Sequence, residues 1–151
     1  MNTKVFDAIV SLGSNCTVAH QLRCNLLRTF SLPFDWLITP QTIKVQSLIE
    51  NKFVGFLSRG NIEEFSPLPS GCVFADREWD VTFLHDFMPG GLDIQYDYIF
   101  EKYRCRILRF MNLLESGRKC LFIRQQSAED LWQDSIALGE YLRGFHKENC
   151  L

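Results

Sequence analysis

The stretch SLGSNCTVAHQLRC, Ser11 to Cys24, decides how this chain folds. It follows the apolar run VFDAIV and precedes NLL. The β-branched and apolar residues of KVFDAIVSL predict a strand, and Gly13 stops it. Ser14 is a natural N-cap, so a helix is predicted from about Asn15 to Arg28. Val18, Leu22 and Leu26 fall at i, i+4 and i+8 and give that helix a buried stripe. Strand, glycine turn and helix is the opening unit of a layered α/β domain, and it places Cys16 in the first turn of the helix.

Downstream, FSLPFDWLITP is aromatic and broken by proline. Pro33 cannot sit in a central strand, so this is an ordered loop with a short extended piece. A helix is predicted after Pro40, in QTIKVQSLIENKF, with Ile43, Leu48 and Ile49 inward. SRGNIEEFSPLPSG has the composition of a loop. CVFAD and VTFLHDF, separated by REWD, predict a hairpin. Tyr96, Ile99, Tyr103, Ile107, Phe110 and Leu114 recur at helical spacing, and Gly117 is the natural stop. KCLFIR is a short buried strand. Ser127 then caps a last amphipathic helix, with Glu129 and Asp130 in its first turn, where the helix dipole favours acids.

The expected fold is therefore α/β, a mixed sheet flanked by helices, with the strand–Gly turn–helix unit carrying the cysteine. Residues 1–151 read as a single domain. The chain stops just after a helix, where such a sheet often adds a strand, so a C-terminally incomplete form of a longer protein is an open expectation.

Composition narrows the function. A formal charge of −2 gives no basic footprint for nucleic acid or anionic lipid. No stretch approaches the roughly 20 apolar residues of a membrane span. No convincing signal peptide opens the chain, so a cytoplasmic protein is expected. Its six cysteines form no CxxC pair and are expected to be reduced thiols. Cys105 and Cys120 read as small core residues.

Cys16 has a chemical reading as well as a packing one. A thiolate at a helix N-terminus faces unpaired backbone N–H groups and the positive end of the dipole, and both lower a thiol pKa. The same N–H groups can hold a developing oxyanion, with the Asn15 amide as a further donor. Gly13 lets the backbone turn beside the sulfur. The base must be one of three histidines. His20 lies one turn after Cys16 on the same helix. His146 sits in a polar stretch near the C-terminus. His85 ends a strand and precedes Asp86, the placement an α/β or α+β enzyme uses for its base. The group orienting the imidazole is left open among Asp35, Asp86, Gln125 and Gln126.

SLGSNC, LR at Leu22-Arg23, PFDW at Pro33–Trp36, HDF at His85–Phe87 and LFIR at Leu121–Arg124 together resemble a family of domains of unknown function classed as papain-like cysteine peptidases, bacterial-type. The likeness spans nearly the whole chain. It implies a nucleophilic Cys16 at a helix start, with His85 on a later strand, and offers an α+β papain-like fold as the alternative. Asp35 stands as a candidate beside the pair, and Gly13, Arg23, Trp36, Asp86 and Arg124 as candidate binding residues. Papain-type enzymes carry an Asn or Asp on the strand after the histidine. Here that strand is KCLFIRQQ, which has neither.

Three other classes compete. Cys16, His20 and Cys24 drift along one side of a helix, but a structural zinc site wants four ligands, so no metal is expected. Arg23, Arg28, Arg104, Arg106, Arg109 and Arg124 offer cations to a non-proteolytic anion-binding or transferase-type domain without a catalytic thiol. An interaction module is the third. The preferred expectation is a thiol hydrolase or acyl-transfer enzyme acting on a peptide or small acyl substrate, with no cofactor, no nucleic acid and no membrane. The oligomeric state is left open.

Overall fold

The computed structural model describes residues 5–68 and 71–151. Among the described residues, six strands and four α-helices are arranged as expected for an α/β protein, with the parallel and antiparallel strands divided between two sheets. The first sheet pairs β1 (Ala8–Ser11) with β6 (Cys120–Ile123) in parallel, Ala8 opposite Cys120 and Ser11 opposite Ile123. The second is antiparallel, in the order β2 (Leu37–Ile38), β5 (Val81–Phe87), β4 (Gly71–Asp76), β3 (Ile62–Leu68). Helices α1 (Cys16–Cys24), α2 (Thr42–Glu50), α3 (Leu92–Glu115) and α4 (Trp132–Arg143) complete the chain.

One apolar cluster joins both sheets. Its centre is aromatic: Phe34, Phe53, Phe56, Phe83, Tyr103 and Phe110 meet mostly edge to face, with centroids between 5.4 and 6.0 Å. Full burial of one such side chain contributes about 1.5–3 kcal/mol. Helix α3 supplies Ile99, Tyr103, Phe110 and Leu114 to this core, as its period predicts, while Tyr96 and Ile107 are only partly covered. Gly117 follows at φ +68°. Helix α2 packs on α4.

Several expectations need correction. Helix α1 ends four residues earlier than predicted, at Cys24 rather than Arg28. Its end is a Schellman turn. The Leu27 N–H donates to Leu22 O at 2.9 Å and the Leu26 N–H to Arg23 O at 3.1 Å. Leu26 takes the left-handed position, φ +56°, and is 88% exposed, so the inward stripe is Ala19 and Leu22 instead. Its N-cap is Asn15, not Ser14. In α2, Thr42, Val45, Leu48 and Ile49 are inward, and Ile43 is exposed. The loop expected over 58–71 contains β3, and its residues 69–70 lie outside the described residues. An edge position tolerates Pro67, and a bulge between Glu64 and Ser66 breaks the alternation that would have marked a strand. The last helix starts at Trp132, so Ser127–Asp130 is a turn before it. Cys120 is buried as expected, but Cys105 is only half-buried.

Candidate functional site

The loop between β1 and α1 is held from three sides. The Leu12 N–H donates to Ile123 O at 2.8 Å, the Gln125 N–H to Gly13 O at 3.0 Å, and the Thr39 N–H to Ser14 O at 2.8 Å. Gly13 sits at φ +83°, and a Cβ there would lie 2.5 Å from Thr39 Oγ1. Both the dihedral and the close approach require glycine.

Arg124 locks this arrangement. Its Nε–H reaches Thr42 Oγ1 at 2.6 Å, its Nη1 reaches Leu12 O and Thr39 Oγ1 at 2.9 Å each, and its Nη2 reaches Thr39 O at 2.7 Å and Asp130 Oδ1 at 3.2 Å. All five N–H groups of the guanidinium thus point at acceptors within the chain. Asp130 also accepts from the Thr42 N–H at 2.6 Å and the Ser127 N–H at 2.9 Å. Burial works to raise the Asp130 pKa. The bonds from Ser127 and Thr42 and the charge of Arg124 outweigh it and hold the carboxyl below its ordinary value. Asp130, expected as a helix-dipole acid, is instead the buried partner of Arg124, and Thr39 and Thr42 are further partners that no sequence pattern marks. An arginine at the end of a buried strand was the available signal that a buried carboxylate had to exist somewhere.

From this platform Asn15 caps α1, its Oδ1 accepting the Thr17 N–H at 2.8 Å. That uses the amide oxygen and leaves the NH₂ as the donor group. Cys16 is the first helical residue and is half-buried.

The other expected residues gather around Trp36. The His85 ring stands edge-on to it, centroids 6.4 Å apart. The Arg23 and Arg28 guanidinium carbons each lie 5.4 Å from the Trp36 ring centroid. Asp35 is buried, ion-paired to Arg28, and accepts the Leu32 N–H at 2.8 Å. Its hydrogen bonds go to these two groups, so Asp35 positions Arg28. Helix α1 runs antiparallel beside the Trp36–Thr39 segment, since Ser14 meets Thr39 and Arg23 covers Trp36. Cys16 therefore lies toward Thr39, and His85 stands at the Trp36 end. Among the described residues, neither the Cys16 thiol nor the His85 ring has a hydrogen-bond partner.

Asp86 faces away from His85, as alternation along β5 requires. It accepts from Lys102 Nζ and the Tyr103 hydroxyl, each at 2.6 Å, with Arg106 Nη1 at 3.9 Å. Burial, then the Asp86 charge, pushes the Tyr103 hydroxyl well above an ordinary tyrosine. On α1, His20 lies 3.4 Å from the Cys24 thiol through Nε2 and 3.5 Å from Arg23 through Nδ1. It serves the last turn of the helix rather than Cys16. Gln125 contributes its backbone, and the Gln126 side chain donates to Asp130 O at 3.4 Å.

A cavity of about 470 Å³ lies between β6 and α4, bordered by Arg124 and Asp130. Phe122, Trp132, Ile136 and Leu151 line it, and it contains neither Cys16 nor His85. No helix among the described residues is long and apolar enough to cross a membrane, and none of their His, Cys, Asp and Glu side chains form a group suited to hold a metal ion.

Residues 7–148 match the family described as "Putative papain-like cysteine peptidase (DUF1796)", and the chain belongs to that family. An uncharacterized protein of Acanthamoeba polyphaga mimivirus is 31% identical over 136 residues, covering 78% of this chain and 60% of the relative. The chain thus spans about three-fifths of that relative's length. The relative is viral, and a bacterial-type origin gains no support from it. No solved structure matches.

Proposed function

We propose that this domain is a thiol hydrolase or acyl-transfer enzyme, with Cys16 as nucleophile and His85 as base, acting on a peptide or small acyl substrate. The observation that carries this reading is Cys16 at the first position of α1, on a loop pinned at Gly13, in a family described as peptidase-like. His85 takes the thiol proton, and the thiolate attacks the carbonyl carbon to form a C–S bond. The oxyanion is met by first-turn N–H groups and the Asn15 amide. His85 then returns the proton to the leaving group as its bond to carbon breaks, and water hydrolyses the thioester. This needs His85 within about 2.6–3.2 Å of the sulfur in the complex. The imidazole has to turn from Trp36 toward Cys16. His85 is exposed, and leaving Trp36 costs it an edge contact of about 0.5–1.5 kcal/mol. The six cysteines are all free, which fits a reducing compartment such as the cytoplasm.

The test is acylation by p-nitrophenyl acetate followed by peptide mass mapping. An acetyl group on Cys16 is expected, absent from Cys16→Ser. His85→Ala should slow its formation by about 10²-fold or more, and His20→Ala should leave most of it. Acetylation of other thiols only, or a Cys16 rate indifferent to His85, would remove the reading.

A further inference from the structure

Trp36 is the meeting point of three cationic or cation-capable side chains. Arg23 and Arg28 each lie within 5.4 Å of its ring centroid, and His85 within 6.4 Å. The carboxylate beside them is Asp35, which is buried and taken up by Arg28. Arg28 is itself nine-tenths buried, and its Nε has no acceptor among the described residues. Burial, then the charges of Arg23 and Arg106, pulls its pKa below an ordinary arginine. The cluster therefore carries more positive charge than its own acids neutralise.

Arg23 is the accessible member. It is exposed, and among the described residues no carboxylate lies within 4 Å of it. Its side-chain polar contact is His20 at 3.5 Å. Cation–π attraction holds the guanidinium by the indole, and the exposure of Arg23 leaves an N–H edge open to solvent. Such an edge matches the two oxygens of a carboxylate. With Arg28 committed to Asp35, one guanidinium edge remains, which suits a planar monoanion better than a phosphate seeking several donors.

We infer that Arg23, held on Trp36 beside His85, is a specificity residue that selects substrates bearing a glutamate or aspartate side chain near the reacting carbonyl. This rests on the reading of Cys16 and His85 as the reacting pair. It goes further by naming the substrate chemistry.

Binding separates this inference from the reaction. Titration calorimetry on the Cys16→Ser protein, which cannot turn over, compares N-acetyl-Ala-Glu-Ala-amide with its glutamine counterpart. The glutamate peptide should bind about 10-fold more tightly, as expected for one charge-assisted pair. The preference should shrink at an ionic strength of about 0.5 M. Arg23→Gln should abolish it, and Arg23→Lys should keep part of it, with unchanged thermal melting in both. Equal binding of the two peptides, or a preference that survives Arg23→Gln, overturns the inference. So does inorganic phosphate binding more tightly than the glutamate peptide. An acidic preference without any wild-type turnover supports Arg23 and removes the hydrolase reading. Turnover without an acidic preference does the reverse.

Discussion

Arg124 and Asp130 meet at 3.2 Å with both side chains almost wholly buried, and the loop that presents Cys16 hangs from this pair. Removing one partner strands the other as an uncompensated charge. Arg124→Met and Asp130→Asn are each expected to cost about 3–5 kcal/mol, read by urea unfolding. The sign with pH follows from Asp130. Its folded pKa lies below the ordinary 3.8, so its stabilisation is present above that value and is lost as pH falls through the folded pKa. The deficit of Asp130→Asn relative to wild type should therefore be full at neutral pH and shrink in acid below the usual carboxylate range. A deficit constant down to the acid transition would reject this.

Gly13→Ala should be worse than a surface glycine replacement. The left-handed backbone alone costs about 1–2 kcal/mol for an L-residue, and the new Cβ would also meet Thr39 Oγ1 at 2.5 Å. Thr39→Ala removes the contact but not the dihedral, and it also leaves Arg124 one acceptor short. Gly13→Ala should therefore cost less in a Thr39→Ala background than in wild type, while keeping the cost of the dihedral. Thermal melts of the two single variants and the double variant measure this. No cost of Gly13→Ala in the Thr39→Ala background would mean that the backbone is not strained there.

Leu26→Gly is expected to stabilise the protein. Leu26 fills the left-handed position of the Schellman turn, which favours glycine, and its side chain is 88% exposed. Losing a leucine costs little where nothing covers it. Relief of the backbone should contribute about 1 kcal/mol. A lower melting temperature for Leu26→Gly would show that the side chain packs in a way its exposure does not suggest.

These positions also mark what is legible in the sequence. The strand, Gly13, Cys16 at a helix start and the Tyr103–Phe110–Leu114 stripe were legible because period and turn chemistry are local. The end of α1 was not, because Leu26 sits where a glycine would have announced the stop. Strand β3 was hidden by Glu63, Glu64 and Pro67, which an edge tolerates and a composition rule reads as loop. PFDW and HDF come together where Trp36 meets His85, but the sequence does not show the partners of their acids. That Asp35 holds Arg28, or that Asp86 holds Lys102 and Tyr103, depends on the packing of α3 and the 28–35 segment against the sheet, which no local pattern encodes.

The two ends of α1 provide a controlled comparison of thiols. Cys16 begins the helix and Cys24 closes it, so one dipole acts on both with opposite sign. The first-turn N–H groups lie at the Cys16 end and the last-turn carbonyls at the Cys24 end. Exposure argues the other way, since Cys24 is exposed and Cys16 half-buried. If helix position decides, brief iodoacetamide treatment near neutral pH should label Cys16 about tenfold faster than Cys24. His20→Ala should change the rate at Cys24, whose sulfur it approaches at 3.4 Å, and leave Cys16 nearly unchanged. Cys120 is the internal standard for an inert thiol. Burial, then Asp7, raises its pKa to about 11, so it should resist labelling until the pH rises far above neutral. Mass spectrometry of the labelled peptides gives all three rates from one sample. Cys24 labelling ahead of Cys16 would show that access outweighs helix position, and the case for Cys16 as nucleophile would lose its physical basis.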